Sequence, residues 1–151
     1  MPRREEGFTL LELMVVVLVI SIILAIAIPT FLGARRAAWD RAAQSNVRNA
    51  HTNLMTYYAD GQVFTEDTTE LTSIDPSVVY ETVTPAALTS ENVVFIEVRT
   101  TSRPDDTLYV AGMSGTGVCY WLRTIGDENH PRFASNDCQS VPADAAFLPT
   151  W

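Results

Sequence analysis

Glu12 is a carboxylate at the edge of a long uncharged segment. From Leu13 to Ala34 no side chain carries a charge, and a membrane-spanning helix needs about 20 such residues. A carboxylate in a bilayer costs about 2.5–3.5 kcal/mol at the centre and less near the interface. We therefore expect Glu12 to have a positively charged partner. The alternative is that its carboxylate reaches the lipid headgroups.

The six residues from Gly7 to Glu12, GFTLLE, follow a short polar leader and precede the apolar run. This pattern resembles the class III signal of type IV prepilins and pseudopilins. The resemblance is close from Gly7 to about Val17 and looser to about Tyr58. It implies that a prepilin peptidase cleaves after Gly7 and methylates the new amino terminus on Phe8. It also implies that Glu12 pairs with the terminal amine of a neighbouring subunit.

The physical chemistry of the two groups agrees with that pairing. A free amine on Phe8 and a carboxylate on Glu12 are each costly in lipid, and removing one partner of a buried pair costs about 3–5 kcal/mol. A single polar contact of this kind also sets the axial register of two packed helices. Glu12 is therefore expected to select the register of an assembly.

An ordinary secretory signal is the competing interpretation. Two arginines precede the apolar residues 13–24, and Ala25-Ile26-Ala27 fits a small-x-small cleavage site. Cleavage after Ala27 would release a soluble protein that begins at Ile28. The glutamates before the apolar run, and Pro29 just after the cut, argue against this alternative.

The composition indicates one exported domain with a membrane anchor. The chain has 151 residues, a net charge of −8 and ten basic residues, all of them arginine. The two arginines and two glutamates of the leader cancel, so the charge is the same without it. An acidic domain repels nucleic-acid phosphates on average, so DNA is a possible partner that the sequence does not support.

Four arginines cluster after the apolar run, at positions 35, 36, 41 and 48. They outnumber Arg3 and Arg4 before it, and the positive-inside rule would then keep the carboxy-terminal side in the cytoplasm. The resemblance implies the opposite orientation, and long domains translocate largely regardless of charge. The conflict between the two signals stays open at this point.

A long helix must carry this segment. Residues 8–58 are apolar all round in their first part, with 8–30 as the transmembrane and assembly part. Val47, Ala50 and Leu54 then recur at helical spacing, and Asp60-Gly61 supplies a stop. Such a helix would be roughly 75 Å long, so its second half must pack on a globular domain.

Two residues inside this helix predict a kink. Pro29 removes the hydrogen bond to the carbonyl of Ala25, and Gly33 weakens the next turn. In pilins that this chain resembles, such a stretch can bend or lose helicity on assembly.

The remaining chain is predicted to form a small head. After the leader (1–7) and the helix, residues 59–92 are a connecting loop with a short helix near 77–80. Residues 93–125 form an antiparallel sheet and 126–151 a carboxy-terminal loop. The predicted strands are Val93–Val98, Leu108–Met113 and Val118–Ile125. The fold class is therefore α+β, with the lollipop shape of pilins.

Cys119 and Cys138 are the two cysteines of the chain. Because the chain is predicted to be exported, a disulfide between them is favoured over two free thiols. The resulting loop resembles the disulfide-bounded region of type IV pilins.

No pattern in the chain predicts catalysis or a cofactor. The glycine-rich residues 112–117 lie between predicted strands without a following lysine, which favours a hairpin over a phosphate cradle. Neither His51 nor His130 has a partner at the spacing of a catalytic triad. Some pseudopilins bind calcium in the carboxy-terminal loop, so a calcium site there stays an alternative, although the spacings match no known calcium loop. Its oxygens would come from Asp127, Glu128, Asn129, Asn136 and Asp137.

The aromatic residues Tyr120, Trp121 and Trp151 are more typical of a core or a subunit contact than of a platform for nucleic-acid bases.

These observations predict a non-enzymatic structural subunit of a type IV pilus or pilus-like filament. The resemblance implies that its partners are further copies of itself, the prepilin peptidase, an inner-membrane platform and an assembly ATPase. It would sit in the bacterial inner membrane first and in an extracellular or periplasmic filament afterwards. The alternative is a pseudopilin or minor pilin of a type II secretion or DNA-uptake machine. The sequence does not distinguish adhesion, motility, secretion and DNA uptake.

Overall fold

The first element, α1, runs from Leu10 to Gly61 and is 52 residues long. The structure is a computed structural model. The residues that it describes are 7–61, 63–85, 88, 92–99, 106–126 and 130–151. The long apolar helix predicted from the sequence is confirmed. Its last residue is Gly61, in the Asp60-Gly61 pair that predicted the stop, while most of the leader, residues 1–6, lies outside the described residues.

The chain divides into two units, one ending at Ala37 and the other beginning at Ala38. In the first unit, every described side chain is exposed. In the second, the rest of α1 buries one face, which carries Ala43, Val47, Ala50 and Leu54. The amphipathic spacing of the second half of the helix is thereby confirmed.

Within the described residues, five strands form one sheet whose spatial order is the chain order. The strands are β1 (Val79–Glu81), β2 (Val93–Arg99), β3 (Thr107–Met113), β4 (Cys119–Ile125) and β5 (Arg132–Asn136). β1 pairs parallel with β2, and every later pair is antiparallel. The predicted α+β class and the three predicted strands are confirmed.

The sheet has an apolar layer on each face because its central strands alternate. Val94 and Ile96 of β2 pack with Val47 and Leu54 of α1. Phe95, between them in sequence, belongs to a second cluster on the opposite face. That second cluster also contains Tyr109, Trp121, Cys119, Cys138 and Phe147.

The helix predicted near residues 77–80 is wrong. The short helix, α2, is Thr68–Ile74, and the later segment forms β1. Asp67 caps α2, since its Oδ1 accepts hydrogen bonds from the amides of Thr69 at 2.9 Å and Glu70 at 3.4 Å. The D-x-x-E pattern of a capping box is the sequence signal for this helix.

The carboxy-terminal region contains more regular structure than a loop. β5 pairs with β4, and a 3-10 helix covers Asp144–Ala146. Phe133 and Leu148 then exchange two backbone hydrogen bonds, both of 2.7 Å. The prediction of a loop over 126–151 is wrong for these stretches, because pairing with β4 fixes β5.

Candidate functional site

The amino-terminal motif lies where α1 begins. Gly7, Phe8 and Thr9 precede the helix, and Leu10 is its first residue. The Thr9 hydroxyl accepts a hydrogen bond from the amide of Glu12 at 3.2 Å. Thr9 is thus the N-cap, which satisfies one of the amides that the first turn leaves without a helical partner.

Glu12 occupies the third helical position after this cap. Thr9 and Glu12 together have the T-x-x-E spacing of a capping box, in which an acid also lies at the positive end of the helix. Sequence reasoning missed this local role, although the four-residue signature is readable in the chain. Glu12 therefore has two candidate roles, one within its own helix and one towards another subunit.

The apolar residues behind the motif are exposed to an extent unusual for a water-soluble protein. Their large side chains, from Phe8 to Leu32, are between 47% and 80% exposed. α1 is long and apolar enough to cross a membrane, judged by length and composition. Such a surface is typical of a helix that contacts lipid or other apolar helices.

The polar side chains in this stretch bond within the helix. The Ser21 hydroxyl donates to the carbonyl of Val17 at 2.7 Å, and that of Thr30 donates to the carbonyl of Ile26 at 3.0 Å. Polar groups at membrane depth must be satisfied in this way or by neighbouring helices. The segment therefore suits a bilayer without needing polar partners for these two hydroxyls.

Pro29 and Gly33 both lie inside the continuous helix α1. A Cβ added at Gly33 would meet nothing within 4 Å, so close packing in this structure does not require glycine there. The proposed roles of both residues in bending or melting the helix stay predictions.

The glycine-rich segment between β3 and β4 is a hairpin connection, as predicted. The amide of Ser114 donates to the carbonyl of Val118 at 2.8 Å, and that of Gly117 donates to the carbonyl of Ser114 at 2.9 Å. Gly117 has φ +84°, which favours glycine. A Cβ at Gly112 would lie 2.9 Å from Cγ2 of Val47. The glycines therefore serve a turn and a close approach of helix to sheet.

Asp40 fastens this connection to α1. Its Oδ1 accepts hydrogen bonds from the hydroxyls of Ser114 at 2.6 Å and Thr116 at 2.9 Å. The bond from Ser114 is the leading cause that lowers the pKa of Asp40 below its usual value. These hydrogen bonds hold the β3–β4 turn against α1.

His51 is partly buried, and its imidazole bonds to a strand of the head. Its Nε2 lies 2.7 Å from the hydroxyl of Thr124, which is fully buried in β4. Burial lowers the pKa of His51 to about 4, so the imidazole is neutral at physiological pH. His130 is exposed, in the loop before β5.

The structure contains the disulfide between Cys119 and Cys138, with Cα atoms 5.1 Å apart. Asn136 reinforces it. Its Oδ1 accepts from Nε1 of Trp121 at 2.7 Å and from the amide of Cys138 at 3.0 Å, and its side-chain amide donates to the carbonyl of Ser140 at 2.6 Å. The side-chain oxygen of Asn136 therefore already accepts two hydrogen bonds within the head, which disfavours a role as a cation ligand.

Of the five residues of the alternative calcium site, only Asn136 and Asp137 lie in the part of the chain that the structure describes. Residues 127–129 lie outside it, and the Oδ1 of Asp137 accepts from the amide of Gln139. Among described residues, no three histidine, cysteine, aspartate or glutamate side chains are grouped as a metal site would require.

The aromatic residues singled out from the sequence belong to the head's own packing. Trp121 is fully buried. Trp151 contacts Tyr120 and Phe133, with ring centroids 5.7 and 4.5 Å apart, and the Arg48 guanidinium lies 4.7 Å from the centroid of the Trp151 ring. These contacts favour a structural role over base stacking.

Comparison with known proteins agrees with the motif. The family described as the prokaryotic N-terminal methylation motif matches residues 2–28. The chain is 33% identical over 72 residues to the type IV wide pilus major component PilA4 of Thermus thermophilus, covering 48% of this chain and 55% of that protein. It is 32% identical over 68 residues to the type IV major pilin protein PilA of Myxococcus xanthus, covering 45% and 31%.

A third relative has a different name. The type II secretion system core protein G of Dickeya chrysanthemi is 33% identical over 60 residues, covering 40% of this chain and 39% of that protein. The chain therefore spans from about a third to about half of the relatives that it matches.

Proposed function

We propose that this chain, which carries a type IV prepilin methylation motif at its amino terminus, is a structural subunit of a type IV pilus or pilus-like filament. The exposed apolar surface of α1 directly behind the motif carries this proposal. In the membrane that surface contacts lipid, and in the filament the same surface contacts the helices of other subunits. Assembly replaces one apolar environment by another, so it requires no exposure of the helix to water.

The first step is processing of the leader. Prepilin peptidase cuts between Gly7 and Phe8 and methylates the new amine on Phe8. These residues precede the first helical residue, which supports cleavage, because proteases act on segments outside regular structure. Mass spectrometry of the mature chain should find a methylated Phe8 at the terminus. A chain that begins at Ile28 would instead establish the ordinary secretory signal.

Glu12 then selects the register between subunits by pairing with the Phe8 amine of a neighbour. We expect Glu12→Gln and Glu12→Ala to be cleaved normally and to enter filaments poorly, because each leaves the incoming amine without a countercharge. Thr9→Ala is the matched control, since it removes the N-cap hydroxyl and keeps the carboxylate. Equal assembly defects in the Thr9 and Glu12 variants would assign Glu12 to capping alone.

The remaining partners follow from this mechanism. An inner-membrane platform and an assembly ATPase extract the subunit from the membrane into an extracellular or periplasmic homopolymer. The chain itself has no catalytic role in this proposal. Electron microscopy with identification of the major filament protein tests the polymer directly.

A pseudopilin of a type II secretion machine is the second candidate. The similarity to core protein G favours it, since that relative is named for secretion. A pseudopilin predicts short periplasmic fibres and a secretion defect on deletion. A major pilin predicts long surface filaments built mostly from this chain.

A further inference from the structure

We propose that Arg35 and Arg36 bind the phosphate groups of anionic lipids in the leaflet at the carboxy-terminal end of the apolar segment. This inference rests on the membrane-inserted state of the proposed function. It assigns a ligand to charged residues that the filament mechanism leaves without a role.

The length of the apolar segment places both arginines at an interface. Residues 13–34 would span roughly 33 Å as a helix, against a hydrocarbon core of about 30 Å. When Glu12 lies at one boundary of that core, Arg35 and Arg36 lie at the other. The phosphates of that leaflet are at the same depth.

The arrangement of the two side chains suits a surrounding layer of ligands. Both arginines are exposed, and consecutive residues of a helix point about 100° apart. A flat protein partner could face one of them directly, whereas headgroups surround the whole helix. The pair therefore fits a lipid layer better than a single partner surface.

The side-chain chemistry also fits phosphate. A guanidinium group donates two parallel hydrogen bonds to phosphate oxygens, which an ammonium group cannot do. Basic residues at the membrane surface also attract lipids with a net negative charge over neutral ones. Two neighbouring guanidinium groups should therefore enrich anionic phospholipids around this level of the helix.

This contact also explains why two arginines follow the membrane segment. Arg35 and Arg36 weaken the positive-inside signal, so they do not assist the proposed orientation. A phosphate contact would instead hold the helix at a fixed depth in the bilayer until it is extracted.

The test uses the full chain in vesicles of mixed neutral phosphatidylcholine and anionic phosphatidylglycerol. One lipid at a time carries brominated acyl chains, which quench tryptophan fluorescence on contact. The reporter is Phe31→Trp in a chain that also carries Trp39→Phe, because Phe31 is exposed and lies about one helical turn before Arg35, on the hydrocarbon side. The reference is this reporter chain with both arginines in place. Trp121 is fully buried and Trp151 packs against Phe133, so both add a constant background.

We expect quenching by brominated phosphatidylglycerol to be about twofold stronger than quenching by brominated phosphatidylcholine, because basic residues near the membrane surface attract anionic lipids. The double variant Arg35→Gln/Arg36→Gln should quench equally with both lipids. Arg132→Gln, which removes an exposed charge from β5, should keep the preference of the reference chain.

Equal quenching of the reference chain by both lipids would overturn the inference and leave membrane insertion intact. A preference that survives in the double variant would overturn it as well. If the reference chain shows no preference and the double variant fails to form filaments, the arginines belong to a contact between subunits. Absence of quenching by either lipid, with no flotation on vesicles, would refute membrane insertion itself.

Discussion

His51 links α1 to β4 through one hydrogen bond in the head's interior. Burial lowers the pKa of its imidazole to about 4, while an unfolded chain has a value of about 6.5. The unfolded state therefore binds a proton at a pH where the folded state does not. The stability from the neutral imidazole is complete above about pH 6.5 and is lost as the pH falls from there towards 4, by up to about 3 kcal/mol.

Urea unfolding of the head across that pH range measures this dependence. His51→Gln, which can still bond Thr124, should flatten the curve, and His130→Gln should leave it unchanged because His130 is exposed. If the free energy of unfolding of the His51 variant falls with decreasing pH as steeply as that of the wild type, other groups cause the pH dependence.

Individual residues also show what a single sequence can reveal about the candidate site. Gly7, Phe8 and Glu12 are identifiable because the motif is continuous and carries its chemistry locally. The cap made by Thr9 is equally local. It is easily overlooked, because the resemblance directs attention to a partner of Glu12 on another subunit. The proposed Glu12–Phe8 pairing would involve another subunit, so neither the sequence nor one folded chain contains its geometry.

At the scale of elements, α1 and β3 approach so closely at Gly112 that a side chain would collide. The methyl group of an alanine there would lie 2.9 Å from Cγ2 of Val47 and 3.4 Å from the carbonyl oxygen of Ala43. We expect Gly112→Ala to destabilise the head by about 1–3 kcal/mol, as overpacking does. Denaturant unfolding provides the measurement.

Two controls identify the collision as the cause. In a Val47→Ala background the cost of Gly112→Ala should shrink, because the opposing methyl group is gone. Gly61→Ala adds the same methyl at the end of α1, where nothing lies within 4 Å, and should be neutral or slightly stabilising. Additive costs in the Val47 double variant would contradict this explanation.

Asn136 joins β5 to β4 and to the disulfide. Asn136→Ala leaves the indole N–H of the buried Trp121 without its acceptor, which should cost about 1–3 kcal/mol with the disulfide intact. Asn136→Asp keeps that acceptor and replaces the donor to Ser140 by a carboxylate oxygen that repels the Ser140 carbonyl, so this variant measures the Ser140 contact. If Asn136→Ala and Asn136→Asp lower the free energy of unfolding equally, in thermal or urea denaturation, the Ser140 contact rather than the Trp121 contact explains the loss.

The elements also differ in how far the sequence predicted them. β2, β3 and β4 are recognisable because their side chains alternate between two buried faces. β1 is only three residues long, and β5 (Arg132–Asn136) has Phe133 as its one large apolar side chain. Both are strands because a neighbouring strand offers them hydrogen bonds, and a single sequence contains no record of that pairing.

At the scale of the whole molecule, the two units differ in what surrounds them. The unit from Ala38 buries its own apolar residues, whereas α1 before it exposes them. A chain that begins at Ala38 should therefore be monomeric and folded without detergent, and the full chain should require detergent or lipid. Sedimentation and circular dichroism compare the two forms. An aggregated or unfolded short form would show that the head depends on the apolar helix.

The spatial order of the strands has a consequence for how the head would fold in the export that the proposed function requires. Each strand pairs with the strand before it in the chain, so every new partner is already present when a segment emerges. Short loops of this kind close with little entropic cost and favour rapid folding. A chain stopped at Gly126 should already protect the β2–β4 amides from hydrogen exchange, with Cys119 still reactive. Arrival of β5 and Cys138 would then close the disulfide, so oxidation of Cys119 would report that the chain has emerged as far as Cys138.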